Sequence, residues 1–224
     1  MTIADREAEQ AMRRVIAAHF PGDGILGEEF GREREGAGRL WVLDPIDGTR
    51  AFVTGRPLFG TLIGVLEEGR PVLGLIDQPV TGERWLGVAG EALRFRGPFG
   101  GAPGCRACPM LAEAELAATS PAMFSPAQAG RFARLAGAVR RVSWGGDCYG
   151  YGLLALGLID IIAEADLKLW DWAALVPVIE SAGGAVCDWQ GRPLVATGDG
   201  AGDGTLLALG DPARREAALA LLAG

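Results

Sequence analysis

Only one histidine, His19, serves a chain of 224 residues, and only four cysteines accompany it. With a single imidazole, set in an apolar stretch near the first residues, histidine acid-base relays and phosphohistidine chemistry have almost no material. Cys105, Cys108, Cys148 and Cys187 are too few and too scattered for a disulfide framework, which fits a reducing compartment. Cys105-x-x-Cys108 has no second CxxC and no nearby histidine to complete a tetrahedral zinc site, so it reads as a loop feature. Cys148 and Cys187 read as small buried apolar residues.

No run of Lys and Arg stands out, and the formal net charge is −7. Such a field repels nucleic acid and anionic lipid, so no nucleic-acid and no membrane partner is expected. The opening residues MTIADREAEQ carry acids rather than the apolar core of a signal peptide, and no uninterrupted apolar run is long enough to cross a bilayer. The expected address is cytoplasmic. A Walker-type glycine loop ending in Lys-Ser/Thr is also absent.

What is there is a globular chain, 49% apolar. Periodicity predicts a helix over 4–20, with Ala8, Ala11, Met12, Val15 and Phe20 on its inward face and a capping box of Thr2 and Asp5. Short apolar runs at 25–26, 40–43, 61–66, 72–76 and 84–88 predict strands, the last three as an antiparallel meander broken by GRP (69–71) and TG (81–82). Beyond residue 113 the rhythm changes. Helices are predicted over 126–139, 149–158 and 171–182, strands over 141–144, 159–163, 185–188 and 206–209, and a short helix at the end. The Gly/Pro-rich GPFGGAPG (97–104) marks a loop, giving an N-terminal α+β half, 1–112, and a C-terminal α/β half, 113–224. GDGAGDG (198–204) reads as a surface turn. Alternating elements of this kind favour layered sheets with helices on their faces.

The stretch WVLDPIDGTR (41–50) carries the most chemistry. Asp-Pro and Asp-Gly both form turns, so a type I turn after a strand is the plain explanation. A calcium loop needs oxygen donors where Ile46 and Gly55 stand, which excludes it. With Pro45 bending the chain, however, Asp44, Asp47 and the Ile46 carbonyl can face one point, as a hard cation such as Mg²⁺ requires. Gly48 and Thr49 follow, where backbone N–H groups opening a helical turn can hold a phosphate oxygen.

Together with GEE (27–29) and WDWAALVPVIESAGG (170–184), in that order, DPIDGT (44–49) resembles the metal-dependent phosphatases of the inositol monophosphatase type. The likeness extends over essentially the whole chain. It implies a mixed α and β fold, the layered αβαβα sandwich of the sugar phosphatases. It implies metal ligation by Glu28, Asp44, Asp47, Asp171 and the Ile46 carbonyl, with Glu29 a weaker candidate, around roughly two or three Mg²⁺ ions. Close carboxylates repel by about 4 kcal/mol per pair at about 4 Å and an effective dielectric near 20, so such a group calls for cations. The resemblance also pairs Thr49 with Asp5 to take a proton from water, beside Glu28 and Asp47 as catalytic groups. It implies substrate contacts from Ile46, Asp47, Gly48, Thr49, Asp147, Glu164 and Asp171. Simpler roles exist for several of these: a solvated loop for Glu28 and Glu29, helix N-caps for Asp147 and Asp171, a surface charge for Glu164.

Within that family the wording of 55–87, of CRACP (105–109) and of 145–172 is most similar to the histidinol-phosphate phosphatases. That substrate carries an ammonium and an imidazole, for which Asp147 and Glu164 supply carboxylates and Trp144 a stacking face. Inositol phosphate or another sugar phosphate is the alternative small-molecule ester. The family usually places a further helix, with a lysine near the metals and part of a homodimer contact, ahead of the TIAD stretch that opens this chain. A shortened N-terminus therefore adds a third expectation, a metal-binding protein impaired in catalysis.

Overall fold

The computed structural model describes residues 2–34, 36–98, 100–196 and 203–223. Its first part runs α1 (Ile3–His19), β1 (Gly24–Gly27), β2 (Gly31–Glu33), β3 (Arg39–Asp47), a short α2 (Thr49–Val53), β4 (Gly60–Glu67), β5 (Arg70–Gln78), β6 (Glu83–Val88) and β7 (Arg94–Arg96). The second runs β8 (Glu115–Ala118), α3 (Pro126–Ala138), β9 (Arg141–Trp144), α4 (Asp147–Leu154) and β10 (Ile161–Glu164). It ends with α5 (Leu169–Trp172), α6 (Leu175–Ser181), β11 (Ala185–Cys187), β12 (Leu206–Leu209) and α7 (Arg215–Leu222).

Two sheets result. The first has the order β2-β1-β3-β4-β5-β6-β7, antiparallel except where β1 runs parallel to β3; the second has the order β11-β12-β10-β8-β9, with β8, β9 and β10 parallel. Alternation along the strands sets the layers. In β10 and β12, Ile162, Leu206 and Ala208 face a core shared with α4, α5, α6 and the first sheet, while Ile161, Ala163, Leu207 and Leu209 face α3 and α7. On the far side of the first sheet Ile16 of α1 meets Ile25 and Leu43. The sequence of layers is helix, sheet, helices, sheet, helices: the αβαβα sandwich. All strands up to Arg96 lie in the first sheet and all from Glu115 in the second, yet the central core draws on both.

Glycines decide how closely the middle layer approaches. Gly64 pairs with Gly74, and Gly74 with Gly87, across β4, β5 and β6. A Cβ on Gly74 would lie 1.9 Å from the Ala174 carbonyl oxygen, and one on Gly87 2.2 Å from that of Pro177. This groove takes the backbone after Asp171 directly onto the sheet, and no other residue type leaves room.

Several expectations change. The predicted inward face of α1 holds only in part: Met12 packs on the Ile16 cluster, but Asp5, Glu9, Arg13 and Ile16 are the buried residues, whereas Val15 is 61% exposed and Phe20 41%. Glu9 and Arg13 can turn inward because they pair with each other and Glu9 accepts the N–H groups of Glu29 and Phe30. The single helix expected over 171–182 is two, since Pro177 has no N–H for the Ala173 carbonyl and its ring crowds that group. The helix expected at 149–158 spans Asp147–Leu154 instead, and the strand expected at 159–163 is Ile161–Glu164. Strands β2, β7 and β8 were not foreseen, each being three or four residues long. Residues 198–202 of the GDGAGDG stretch lie outside the described residues.

Candidate active site

The DPID motif is no turn after a strand: it is the end of β3, with a bulge inside it. Asp44 pairs with Leu62 and Asp47 with Gly60, so three steps along β3 oppose two along β4. In a regular strand residues three apart point to opposite faces; the extra residue brings both aspartates to the same face. Pro45, which has no N–H for a ladder bond, is tolerated at the irregularity. Its carbonyl accepts the Thr61 hydroxyl at 2.8 Å, fixing the bulge. Gly48, at φ +83°, then turns the chain into α2.

Asp171 arrives from the middle layer as the third residue of α5. One of its oxygens accepts the Lys168 N–H at 2.6 Å, so it does serve its helix, though not as the N-cap. One oxygen each from Asp44, Asp47 and Asp171 lie within 4.8 Å of one another. Glu28, also expected as a ligand, is not one of the three whose oxygens lie that close, but the strand register sets it beside them. Gly27 pairs with Leu43, and the Glu28 N–H donates to the Leu43 carbonyl at 3.2 Å, setting Glu28 alongside Asp44.

The electrostatics are those of a site short of positive charge. Burial, then Asp47, Glu28 and Asp171, raises the Asp44 carboxyl well above the usual range. Burial, then Asp147 and Asp171, does the same to Asp47, although the Cys148 N–H, 2.5 Å from its Oδ2, opposes the shift. Asp171 is pushed up to about 7, mainly by burial. Glu28 is raised by burial and by Glu29 and Asp5. Asp44 is only 2% exposed, and its Oδ1 has no hydrogen-bond partner. A buried carboxylate oxygen without a donor, facing two further carboxylates, is what a hard divalent cation satisfies. The donor set therefore fits Mg²⁺.

Two acidic residues predicted for the substrate flank this group. Asp147 is the first residue of α4, at φ +45°, with Gly146 before it as N-cap. Its side chain lies against Gly48, where a Cβ would be 2.9 Å from the Asp147 Cγ. Burial raises its carboxyl, while Arg56 and Arg50 oppose the rise. Glu164 is no surface charge. It is buried at the end of β10, accepting the Thr119 N–H at 2.6 Å and the Tyr151 hydroxyl at 2.7 Å. Trp144, 46% exposed, ends β9 opposite Ala118. These three positions lie at the carboxyl ends of parallel strands or at the following turn, the usual place for a ligand crevice in open sheets.

The expected Asp5–Thr49 pair is not made. The Thr49 hydroxyl donates to the Ile46 carbonyl at 3.2 Å, and the Thr2 N–H donates to Asp5, whose Oδ1 is buried without a partner. Glu29 lies beside Glu28 with its N–H on Glu9. Cys105 and Cys108 are free thiols in the loop before β8, and Cys148 and Cys187 are buried. His19 is exposed at the end of α1. Sequence reasoning missed Glu9, Arg13, Thr119 and Tyr151. The spacing of Asp5, Glu9 and Arg13 at one helical period was the available signal for the first two.

An αβαβα sandwich with a carboxylate group between its sheets is the architecture of a metal-dependent phosphatase of small esters. Residues 1–217 match the model of the inositol monophosphatase family. The chain belongs to that family, whose members are phosphatases dependent on metal ions. The chloroplastic bifunctional phosphatase IMPL2 of Arabidopsis thaliana is 47% identical over 194 residues, 86% of this chain and 55% of the plant protein. The histidinol-phosphatase of Chlorobaculum parvum is 38% identical over 89% of this chain and 76% of its own length. Among solved structures, an inositol monophosphatase from Zymomonas mobilis superposes with a TM-score of 0.88 at 48% identity, covering 97% of this chain and 82% of that one. The chain thus spans little more than half of the plant relative and about three quarters of the bacterial one. No helix of the described residues is long and apolar enough to cross a membrane.

Proposed function

We propose that this chain hydrolyses L-histidinol phosphate to L-histidinol and phosphate with Mg²⁺, a step of histidine biosynthesis. The observation that carries the catalytic part is the convergence of Asp44, Asp47 and Asp171, with one buried Asp44 oxygen left without a donor. Glu28, Asp44, Asp47, Asp171 and the Ile46 carbonyl would hold the ions. Bound there, Mg²⁺ supplies the positive charge and Lewis acidity that phosphate-ester hydrolysis at neutral pH needs.

The remaining work falls to the protein. The first N–H groups of α2, beyond Gly48, have no acceptor within the helix and suit a phosphate oxygen. Thr49 donates its hydroxyl to the Ile46 carbonyl and so holds that carbonyl in place; a proton-transfer role for it would need an acceptor other than Asp5, with which it makes no pair. Asp147 and Glu164 present carboxylates to the ammonium and imidazole of the alcohol part. Glu164 is held rigidly by Thr119 and Tyr151, so it recognises a cation or N–H donor at little reorganisation cost. Trp144 offers a flat face at the rim. The likeness to a relative named histidinol-phosphatase supports this substrate; the likeness to the Zymomonas structure supports inositol phosphate as a second reading.

Phosphate release measured on histidinol phosphate and on inositol 1-phosphate, with Mg²⁺ and with chelator, tests it. The expected result is metal-dependent release with kcat/KM higher on histidinol phosphate. Preference for the inositol ester overturns the substrate, and no release from any ester points to a metal-binding protein without catalysis.

A further inference from the structure

The turn that carries Glu28 is held from outside the site. Strands β1 and β2 are joined by Glu28, Glu29 and Phe30, with Gly27 opposite Gly31. The Glu28 N–H makes the last contact with β3, and the chain then leaves the ladder. The next two N–H groups need acceptors elsewhere, and one side chain provides both. Glu9 of α1, fully buried, accepts the Glu29 N–H at 2.8 Å on Oε2 and the Phe30 N–H at 3.3 Å on Oε1. Its charge is balanced by Arg13, one helical turn on, whose Nε is 2.7 Å from Oε1. Arg13 reaches past it to the Gly31 carbonyl at 2.5 Å and to Glu33 at 2.8 Å. Arg6 and Arg13 lie 5.3 and 5.9 Å from the centre of the Phe30 ring. Gly27 completes the fit: a Cβ there would stand 2.0 Å from the Glu9 Oε1, so the carboxylate occupies the space that any other residue would fill.

A buried ion pair contributes little net stability against an apolar pair of the same volume. What this one contributes is direction. It fixes the backbone on the C-terminal side of Glu28 while the Leu43 carbonyl fixes it on the N-terminal side. We propose that Glu9, neutralised by Arg13, is a positioning residue for Glu28: by holding the 28–30 turn it aims the Glu28 carboxylate at Asp44 and so sets the affinity of the site for Mg²⁺. The inference rests on Glu28 being a metal ligand, as in the function proposed above.

The test is a double-mutant cycle read by Mg²⁺ titration of the chain, without substrate. Tryptophan fluorescence reports the titration, since Trp170 and Trp172 flank Asp171, and thermal shift provides a second readout. Glu9→Gln keeps the volume but places an NH₂ group against one of the two N–H donors. Its expected effect is about tenfold weaker Mg²⁺ binding, the low end for partners that orient metal ligands. In a Glu28→Gln background the same substitution should change affinity less than about twofold, because the ligand it aims is gone. Equal loss in both backgrounds, or no loss in either, overturns the proposal while leaving the phosphatase reading intact. Absence of Mg²⁺ binding by the unsubstituted chain overturns both. Should Glu9→Gln not fold, Glu9→Asp, which keeps the charge for Arg13 but draws the acceptors back from the turn, is held to the same outcomes.

Discussion

Two aspartates, each with almost no exposed surface, are treated in opposite ways by this fold. Asp160, 3% exposed, accepts two hydrogen bonds from Arg106, at 2.7 and 2.6 Å, and a third from the Glu115 N–H at 2.8 Å. Burial alone would raise its carboxyl, but the guanidinium and the N–H outweigh it, and the net shift is downward. Asp44, 2% exposed, has other carboxylates for neighbours and an oxygen with no donor, and its shift is strongly upward. The first is a finished structural ion pair; the second leaves an unbalanced group of carboxylates that a cation from solution, as proposed above, would complete. Burial of a charge is therefore not the mark of a site. Burial without a partner is.

Substitution at the two positions should separate them. Asp44→Asn removes a proposed metal ligand, and kcat/KM should fall by roughly a thousandfold, about 4 kcal/mol of transition-state stabilisation. In chelator, the same variant should melt no lower than the parent chain, because a repelling carboxylate has been removed from among Glu28, Asp47 and Asp171. A large drop in melting temperature without metal would mean that Asp44 is structural after all. Asp160→Asn should do the reverse. Arg106 is nearly half exposed, so the cost falls below that of a fully buried pair; about 2 kcal/mol, or roughly 4–8 °C in melting temperature, is expected. Its Mg²⁺ dependence should match the parent, and a changed metal affinity would show that the two aspartates are coupled.

The same contrast explains how much could be read without coordinates. Where one face of an element meets apolar packing, the pattern in the chain was sufficient: the β4–β5–β6 meander, the helix after Ser125 and the strand at 206–209 all follow from apolar periodicity and turn residues. Asp44 and Asp47 were legible because Asp, Pro and Gly at fixed offsets impose local geometry, whereas Asp171 was reached only through the family resemblance of the WDWAALVPVIESAGG stretch. What stayed hidden is decided by partners distant in sequence. The inward turn of Glu9 and Arg13 depends on two N–H groups some twenty residues away. The break before α6 was local, marked by Pro177, but the groove that seats it needs Gly64, Gly74 and Gly87 to line up across three strands. Strand β8 is short, half alanine, and visible only once β9 and β10 stand beside it.

The smallest effect expected is the most discriminating, because the two kinds of aspartate give pH dependences of opposite sign. In the folded chain without metal Asp171 titrates near 7, whereas an unfolded Asp titrates at about 3.9. Between those values the folded state holds a proton that the unfolded state has released, so stability falls as pH rises. Asp44 and Asp47 act in the same sense. Asp160, with its carboxyl lowered, contributes stability that is present above the unfolded value and is lost only as pH drops through the folded one, so it adds no slope between pH 5 and 7. Thermal scans in chelator should accordingly give a higher melting temperature at pH 5 than at pH 7. Asp171→Asn should shrink that difference. Mg²⁺, which requires the ionised carboxylates, should stabilise more at pH 7 than at pH 5 and reverse the slope. A curve in chelator that is flat, or that rises with pH, would mean that the three carboxylates are neutralised by the protein itself and that no cation is needed to complete them.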